Sequence, residues 1–271
     1  MVNVHPVSRA EIDAWPIEEA GVPVRVSNCA RAAGWHTVGE VRPRTADELL
    51  SLRSFGRTSL RQWRAFLRQC DRLERGRIAF EDIRQAFAAL VDPWIVDILA
   101  LRYRFDEPGA AARRRRTLHD IGRRRRLTRE RVRQIQVIGL ARLRSRFARV
   151  CLEPFCARIE SKIAERGGTV TFDDLAPLAG DAVLGGMNPA SLVMLLHDLF
   201  PERCHRCGLL FSLLPPETLM EAERQAIQAM DERGEPLTVE DILPRVTALA
   251  AIGPPNDASR CARCSTALPT C

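Results

Sequence analysis

Arg129, Glu130, Arg133 and Gln134 lie within one short stretch, Leu127-Thr128-Arg129-Glu130-Arg131-Val132-Arg133-Gln134-Ile135. Their side chains match the edges that base pairs present in a DNA major groove. Arginine forks onto guanine, glutamine pairs with adenine, and glutamate accepts from the cytosine amine. Thr128 can cap a helix at this point, and on that helix Val132, Ile135, Gly139 and Leu143 fall on one face. The four polar residues are then left together near the exposed N-terminal end, which is the layout of a recognition helix. Just upstream, Thr117 can cap a shorter helix with Asp120 at its third position.

Two arginine runs, Arg113 to Arg116 and Arg123 to Arg126, flank and overlap the shorter helix. Taken alone, such runs read as solvated loops; beside a recognition helix they are expected to meet phosphates. The charge of the whole chain supports a polyanion partner. Its 271 residues carry a net +7, but residues 101–150 hold 17 basic and 4 acidic groups, whereas 1–100 are nearly neutral and 151–271 are acidic. Neutralising phosphates with such a segment releases counterions from nucleic acid.

Helical spacing dominates and β-branched alternation is almost absent, so the chain reads as all-α, with enough apolar residues, 46%, to build real cores. Four regions are expected: a helix-hairpin-helix block over 1–70, a helix-turn-helix block over 71–150, a helical region over 151–252, and a Cys-containing tail over 253–271. Predicted helices include 28–33, 37–41, 46–52 and 59–67 in the first block, and 80–90, 93–103, 118–124 and 129–146 in the second. In the third block, Glu165-Arg166-Gly167 leading to Phe172-Asp173-Asp174-Leu175 is echoed by Glu232-Arg233-Gly234 leading to Val239-Glu240-Asp241-Ile242. Either this is a reusable helix-loop-helix corner, or the region holds two helix-turn-helix or winged modules.

The nine cysteines, an odd number, argue against a disulfide framework. Cys204 and Cys207, and likewise Cys261 and Cys264, have the spacing that lets two sulfurs reach one tetrahedral zinc. A shared structural zinc and free thiols are both open, and no cofactor is required. There is no Gly-rich nucleotide loop or catalytic triad, and the five histidines form no cluster, so no enzyme is expected. The absence of a long apolar run and of a signal-like N-terminus points to a cytoplasmic protein with no membrane partner.

The stretch 88–146 resembles region 4 of primary-type bacterial sigma factors. The resemblance is carried by Leu101-Arg102-Tyr103-Arg104-Phe105, by Thr117 to Gly122 and by Leu127 to Leu143. It implies that Arg129, Glu130 and Gln134 face bases and that Arg102 and Arg133 lie near the DNA backbone, where Thr117 is also assigned. It further implies contact with RNA polymerase, at the β-flap or through sigma. Arg125 and Arg126 depart from the family, which has a buried apolar residue and a small turn residue there, so the turn is either remodelled or strained. Val137 and Ile138 are also bulkier or more apolar than the family norm, and are expected either to pack on the third block or to form a partner surface.

Residues 15–68 resemble the C-terminal domain of the RNA polymerase α subunit, through Val24-Arg25-Val26-Ser27-Asn28-Cys29 and Ser54-Phe55-Gly56-Arg57-Thr58-Ser59-Leu60. That family binds A·T-rich minor grooves and contacts activators and sigma region 4. The resemblance implies that Arg25 enters a minor groove, that Asn28 and Cys29 line the backbone, and that Gly56 and Ser59 sit at phosphates, with Arg57 compensating for Thr58. A block kept for protein contact alone is the alternative. The sequence thus points to a regulator or partial sigma-like factor that binds double-stranded DNA and acts with RNA polymerase; the alternative is an adaptor or anti-sigma-like appropriator with little DNA binding of its own. Exposure of Arg129, Glu130 and Gln134 separates the two.

Overall fold

In the computed structural model, residues 1–107, 114–207 and 210–221, together with 224 and 228, are described. Helices dominate, as the spacing predicts. In the first block, α1 (Arg9–Asp13) and α2 (Val24–Ala32) precede α3 (Val38–Val41) and α4 (Ala46–Ser51). The last two are fixed by their sequence, because Thr37 with Glu40 and Thr45 with Glu48 form reciprocal capping boxes. Helix α5 (Arg57–Glu74) buries Ser59, Trp63, Phe66, Cys70 and Leu73, a stripe at alternating spacings of four and three.

The boundary expected at residue 70 falls inside α5. Beyond it, β2 (Ala79–Phe80) pairs antiparallel with β1 (Val2–Asn3), so the extreme N-terminus closes onto the start of the second block. Strands of two residues are too short to leave a periodic signal. The second block contains α6 (Ile83–Leu90), α7 (Pro93–Tyr103), α8 (Leu118–Arg125) and α9 (Arg129–Leu143). The single helix predicted over 129–146 stops at Leu143, because Ser145 turns extended and caps the next helix by accepting from the Ala148 N–H. That helix, α10 (Arg146–Ala164), runs through the boundary expected at 150 and buries Cys151, Phe155, Ile159 and Ile163.

After α10 the chain forms β3 (Thr169–Thr171), two 3-10 turns (Ala176–Gly180 and Ala182–Leu184), α11 (Pro189–Leu199), β4 (His205–Cys207) and β5 (Leu210–Ser212). The sheet is antiparallel with order β3-β5-β4. Helix, strand, turns, helix and a two-stranded hairpin follow one another here, over the first of the two repeat copies. The second copy lies outside the described residues, as does the tail from 253.

Helix α11 is buried almost throughout, from Pro189 to Leu196 and at Leu199. Its N-terminus sits on the end of α7: the Asn188 N–H donates to the Phe105 carbonyl (2.7 Å), Asn188 Nδ2 to that of Glu107 (2.7 Å) and Ser191 Oγ to that of Arg104 (3.2 Å). The Asp198 carboxylate accepts from Tyr103 and Arg115, and its carbonyl accepts from Arg144. This C-terminal unit therefore braces the end of α7 and the end of α9. Among the described residues, no helix is long and apolar enough to cross a membrane.

Helix α9 reaches its place by close approach to α7. A Cβ at Gly139 would collide with Cγ2 of the buried Ile95, a branched methyl with no room to yield. Gly139→Ala should therefore lower the melting temperature, its overpacking cost of roughly 1–3 kcal/mol outweighing the gain in helix propensity. Gly180→Ala, where a Cβ meets nothing within 4 Å, should change stability by less than about 0.5 kcal/mol. Thermal melts followed by circular dichroism compare the two.

Candidate nucleic-acid interface

The α8–α9 unit is set by its caps and its turn. Thr117 Oγ1 accepts from the Asp120 N–H (3.1 Å) and donates to Asp120 Oδ2 (2.6 Å), a contact that holds the Asp120 carboxyl below its usual range. Thr128 caps α9 by accepting from the Arg131 N–H (3.1 Å). Between them Arg126 takes the left-handed conformation at φ 55°, so the turn is strained and not remodelled. Its partner in tightness is Gly122: the Leu127 N–H donates to the Gly122 carbonyl at 2.9 Å, and a Cβ at 122 would lie 2.6 Å from the Leu127 carbonyl oxygen. Arg125, where the resemblance calls for a buried apolar residue, is exposed and paired with Asp97 of α7.

Val132, Ile135, Gly139 and Leu143 are buried, and Arg129, Glu130, Arg133 and Gln134 are exposed or half-buried on the other side of α9. The Glu130 carboxylate accepts both Nε and Nη2 of Arg133 at 2.8 Å and Gln134 Nε2 at 3.3 Å. The Arg133 bond holds its carboxyl below the usual range, so it stays a charged acceptor. These pairs, three and four residues apart, present fork donors, a carboxylate and an amide on one surface. Beyond them Val137 and Ile138 are exposed, at 53% and 40%, and do not pack on the third block. Sequence reasoning missed Trp94, 44% exposed at the start of α7, with the Arg131 guanidinium 5.9 Å from its ring centroid.

The arginines upstream are divided differently from the expectation. Arg102 donates to the Arg116 carbonyl, Arg115 pairs with Asp198 and lies over the Tyr103 ring, and Arg116 is buried against Glu107. Their side chains are thus engaged within the protein, Arg115 and Arg116 by carboxylates and Arg102 by a carbonyl. Arg114 is exposed, and Arg113 lies outside the described residues. Arg123 and Arg124 are exposed, and with Arg104, Glu107, Arg116 and Asp120 they line an open cleft of about 670 Å³ at the start of α8.

In the first block, Arg25, Asn28, Gly56 and Arg57 are exposed. Cys29 and Ser59 are not: Cys29 is 7% exposed and its thiol donates to the Arg53 carbonyl (3.5 Å), and Ser59 belongs to the buried stripe of α5. With both side chains buried, only their backbone is left to meet a ligand. The Cys29 bond ties α2 to the turn before α5, so Arg25, Asn28, Gly56 and Arg57 belong to one region. Of the suggested zinc ligands, Cys204 is buried, and desolvation pushes its thiol up to about 12. Cys261, Cys264 and the Cys207 side chain lie outside the described residues. Among the described residues, no group of three or more His, Cys, Asp or Glu is arranged to hold a metal.

The chain thus holds two helical units, each with polar residues on an exposed helix face. Comparison with known families gives both units a description. Residues 6–69 match the C-terminal domain of the bacterial RNA polymerase alpha subunit, and residues 97–145 match sigma-70 region 4. Curated relatives of the first unit include the DNA-directed RNA polymerase subunit alpha of Leuconostoc mesenteroides, 38% identical over 60 residues, which are 22% of this chain and 19% of that one. The same subunit of Salinibacter ruber is 42% identical over 52 residues, 19% of this chain and 16% of the other. The match therefore spans less than a fifth of the length of these relatives. No solved structure matches the protein.

The division of the arginines has a direct test. Arg116→Ala removes a buried partner of Glu107 and should cost roughly 1–3 kcal/mol, seen as a lower melting temperature. Arg124→Ala, on the exposed surface, should leave the melting temperature unchanged.

Proposed function

We propose that the protein is a sequence-specific, double-stranded DNA-binding transcription regulator, a partial sigma-like factor that acts with bacterial RNA polymerase in the cytoplasm and performs no catalysis itself. The observation that carries this reading is the exposure of Arg129, Glu130 and Gln134 on a helix whose opposite face is fully anchored. In this reading Arg129, Glu130 and Gln134 read base edges. Arg133, Thr117, Arg114, Arg123 and Arg124 meet phosphates, fixing register without reading sequence. Neither a cofactor nor zinc is needed for these roles. Polymerase contact, at the β-flap or through sigma, is the part the family matches favour.

One observation favours a second reading, an adaptor that docks on polymerase or sigma. Trp94, Val137 and Ile138 are exposed and apolar beside the recognition face, where a protein partner gains more from them than water does.

Selection of bound sequences from random duplex DNA separates the readings. On a selected site, Gln134→Ala and Arg129→Ala should each cost roughly 1–3 kcal/mol and relax preference at one or two adjacent base pairs. Val132→Ala should weaken all sequences alike and lower the melting temperature, because it removes only packing. If about six phosphates are contacted, log affinity should fall with log salt at a slope of roughly −5. A slope near zero, with no sequence enriched, favours the adaptor.

A further inference from the structure

Three arginines crowd the entry to α8. Arg102 donates to the Arg116 carbonyl, the Arg116 N–H donates to the Arg102 carbonyl (2.9 Å), and Arg115 lies beside them. Burial, and after it the charge of Arg115, push the Arg102 guanidinium below its ordinary range, while the Asp198 carboxylate acts in the opposite direction. Burial and the charges of Arg124 and Arg104 lower Arg116 in the same way. Such a cluster holds its charge only against carboxylates. Among the described residues, Glu107 pairs with Arg116 and Asp198 with Arg115. Glu107 is a neighbour in sequence, nine residues from its partner, but Asp198 comes from α11, 83 residues away.

Asp198 is poorly placed for α11 itself. It is the last residue but one of that helix, where an acid opposes the helix dipole. Its partners all lie elsewhere. The carboxylate accepts from the hydroxyl of Tyr103, the last residue of α7, and from Arg115, two residues before the Thr117 cap of α8. The carbonyl accepts from Arg144, the C-cap of α9. One residue thus meets all three helices of the base-reading unit, and with Tyr103 fully buried and the Asp198 side chain 15% exposed, water screens these contacts little. A local conflict relieved by distant partners marks a residue whose role lies with those partners. The end of α9 has a further anchor on the first block. The N–H groups of Arg146 and Phe147 donate to the carbonyls of Glu19 (2.7 Å) and Ala20 (3.4 Å), and Arg146 Nε pairs with Glu19 Oε2 at 2.9 Å. This seam beside Ser145 holds α9 independently of Asp198, whereas the entry to α8 relies on Asp198 and Glu107.

We propose that Asp198 is a positioning residue for base reading: it ties the C-terminal unit, which lies beyond both family matches, to the entry of α8, and so sets how α8 and α9 stand against a duplex. The inference rests on the DNA-binding reading above and makes sequence preference depend on a residue that touches no DNA. The test uses the full-length protein. Asp198→Asn keeps the size of the side chain and an acceptor for Tyr103, but removes the charge that faces Arg115. Because the variant has one acid fewer, electrostatics alone would strengthen its binding to any duplex. A displaced α8 has the opposite signature, since base contacts depend on placement more than phosphate contacts do. The variant should bind the selected site about 10-fold more weakly, roughly the worth of one base contact, and a scrambled duplex no less tightly than the wild type. Arg115→Gln should lower this specificity ratio similarly, and the double variant no further, as expected of two residues that act as a unit. Tyr103 is the only tyrosine in the chain, so a tyrosine label at Cζ gives one carbon-13 resonance, which should move in Asp198→Asn. Circular dichroism at the binding temperature checks that each variant is folded. Should Asp198→Asn fail to fold, Arg115→Gln, which leaves the carboxylate its Tyr103 bond, carries the same expectation. An unchanged ratio, an unmoved resonance, or an equal loss on both duplexes that tracks the loss of folded protein would overturn the positioning role and leave α9 reading DNA. Wild-type protein that enriches no sequence would overturn the DNA reading as well.

Discussion

The seating of α9 on α7 governs the rest. Because residue 139 has no side chain, the two helices meet closely enough for Ile95 to fill the space, and Val132, Ile135 and Leu143 complete the contact. Once that stripe is buried, the rotation of α9 is fixed, and so is the face that carries Arg129, Glu130 and Gln134. The tight turn at Gly122 and Arg126 then sets where α8 lies. A recognition surface needs this anchoring, since base discrimination depends on side chains held to within a fraction of an ångström.

The second organising fact is a redistribution of charge. The segment richest in arginine would repel itself if all of it faced water. Carboxylates brought in from elsewhere, Asp198 on α11, Asp97 on α7 and Glu107 beside the end of α7, take up Arg115, Arg125 and Arg116. Asp198 also accepts from the Tyr103 hydroxyl, and burial together with that carboxylate pushes the phenol well above its ordinary range. What remains outside includes Arg114 and the arginines on α8 and at the start of α9.

The parts legible in the sequence are those encoded locally. Thr117, Thr128 and the two Thr-x-x-Glu boxes announce helix starts, and the 132, 135, 139, 143 spacing announces the buried face of α9. The short strands are invisible there because two or three residues carry no period. The interior arginines are invisible for a different reason: Arg115 and its partner are 83 residues apart, and Tyr103 and the same carboxylate 95. A run of arginines looks the same on paper whether it faces phosphate or a distant aspartate. The end of α9 is hidden because Ser145 interrupts an otherwise continuous helical pattern by starting another helix.

The seam at Ser145 also bears on how the protein is made. Arg146 and Glu19 are 127 residues apart, so the chain as far as Arg146 must leave the ribosome before this contact can close. The first block meets that delay with contacts of its own, since its capping boxes and the α5 stripe all lie between residues 37 and 73. Pairing of β1 with β2 needs only the first 80 residues. Folding of such a protein proceeds from local units toward distant closures, whose loop entropy must be met last. The contacts within the N-terminal unit thus need only the first 80 residues, whereas the seam that joins it to the rest needs the chain through α9 and Arg146.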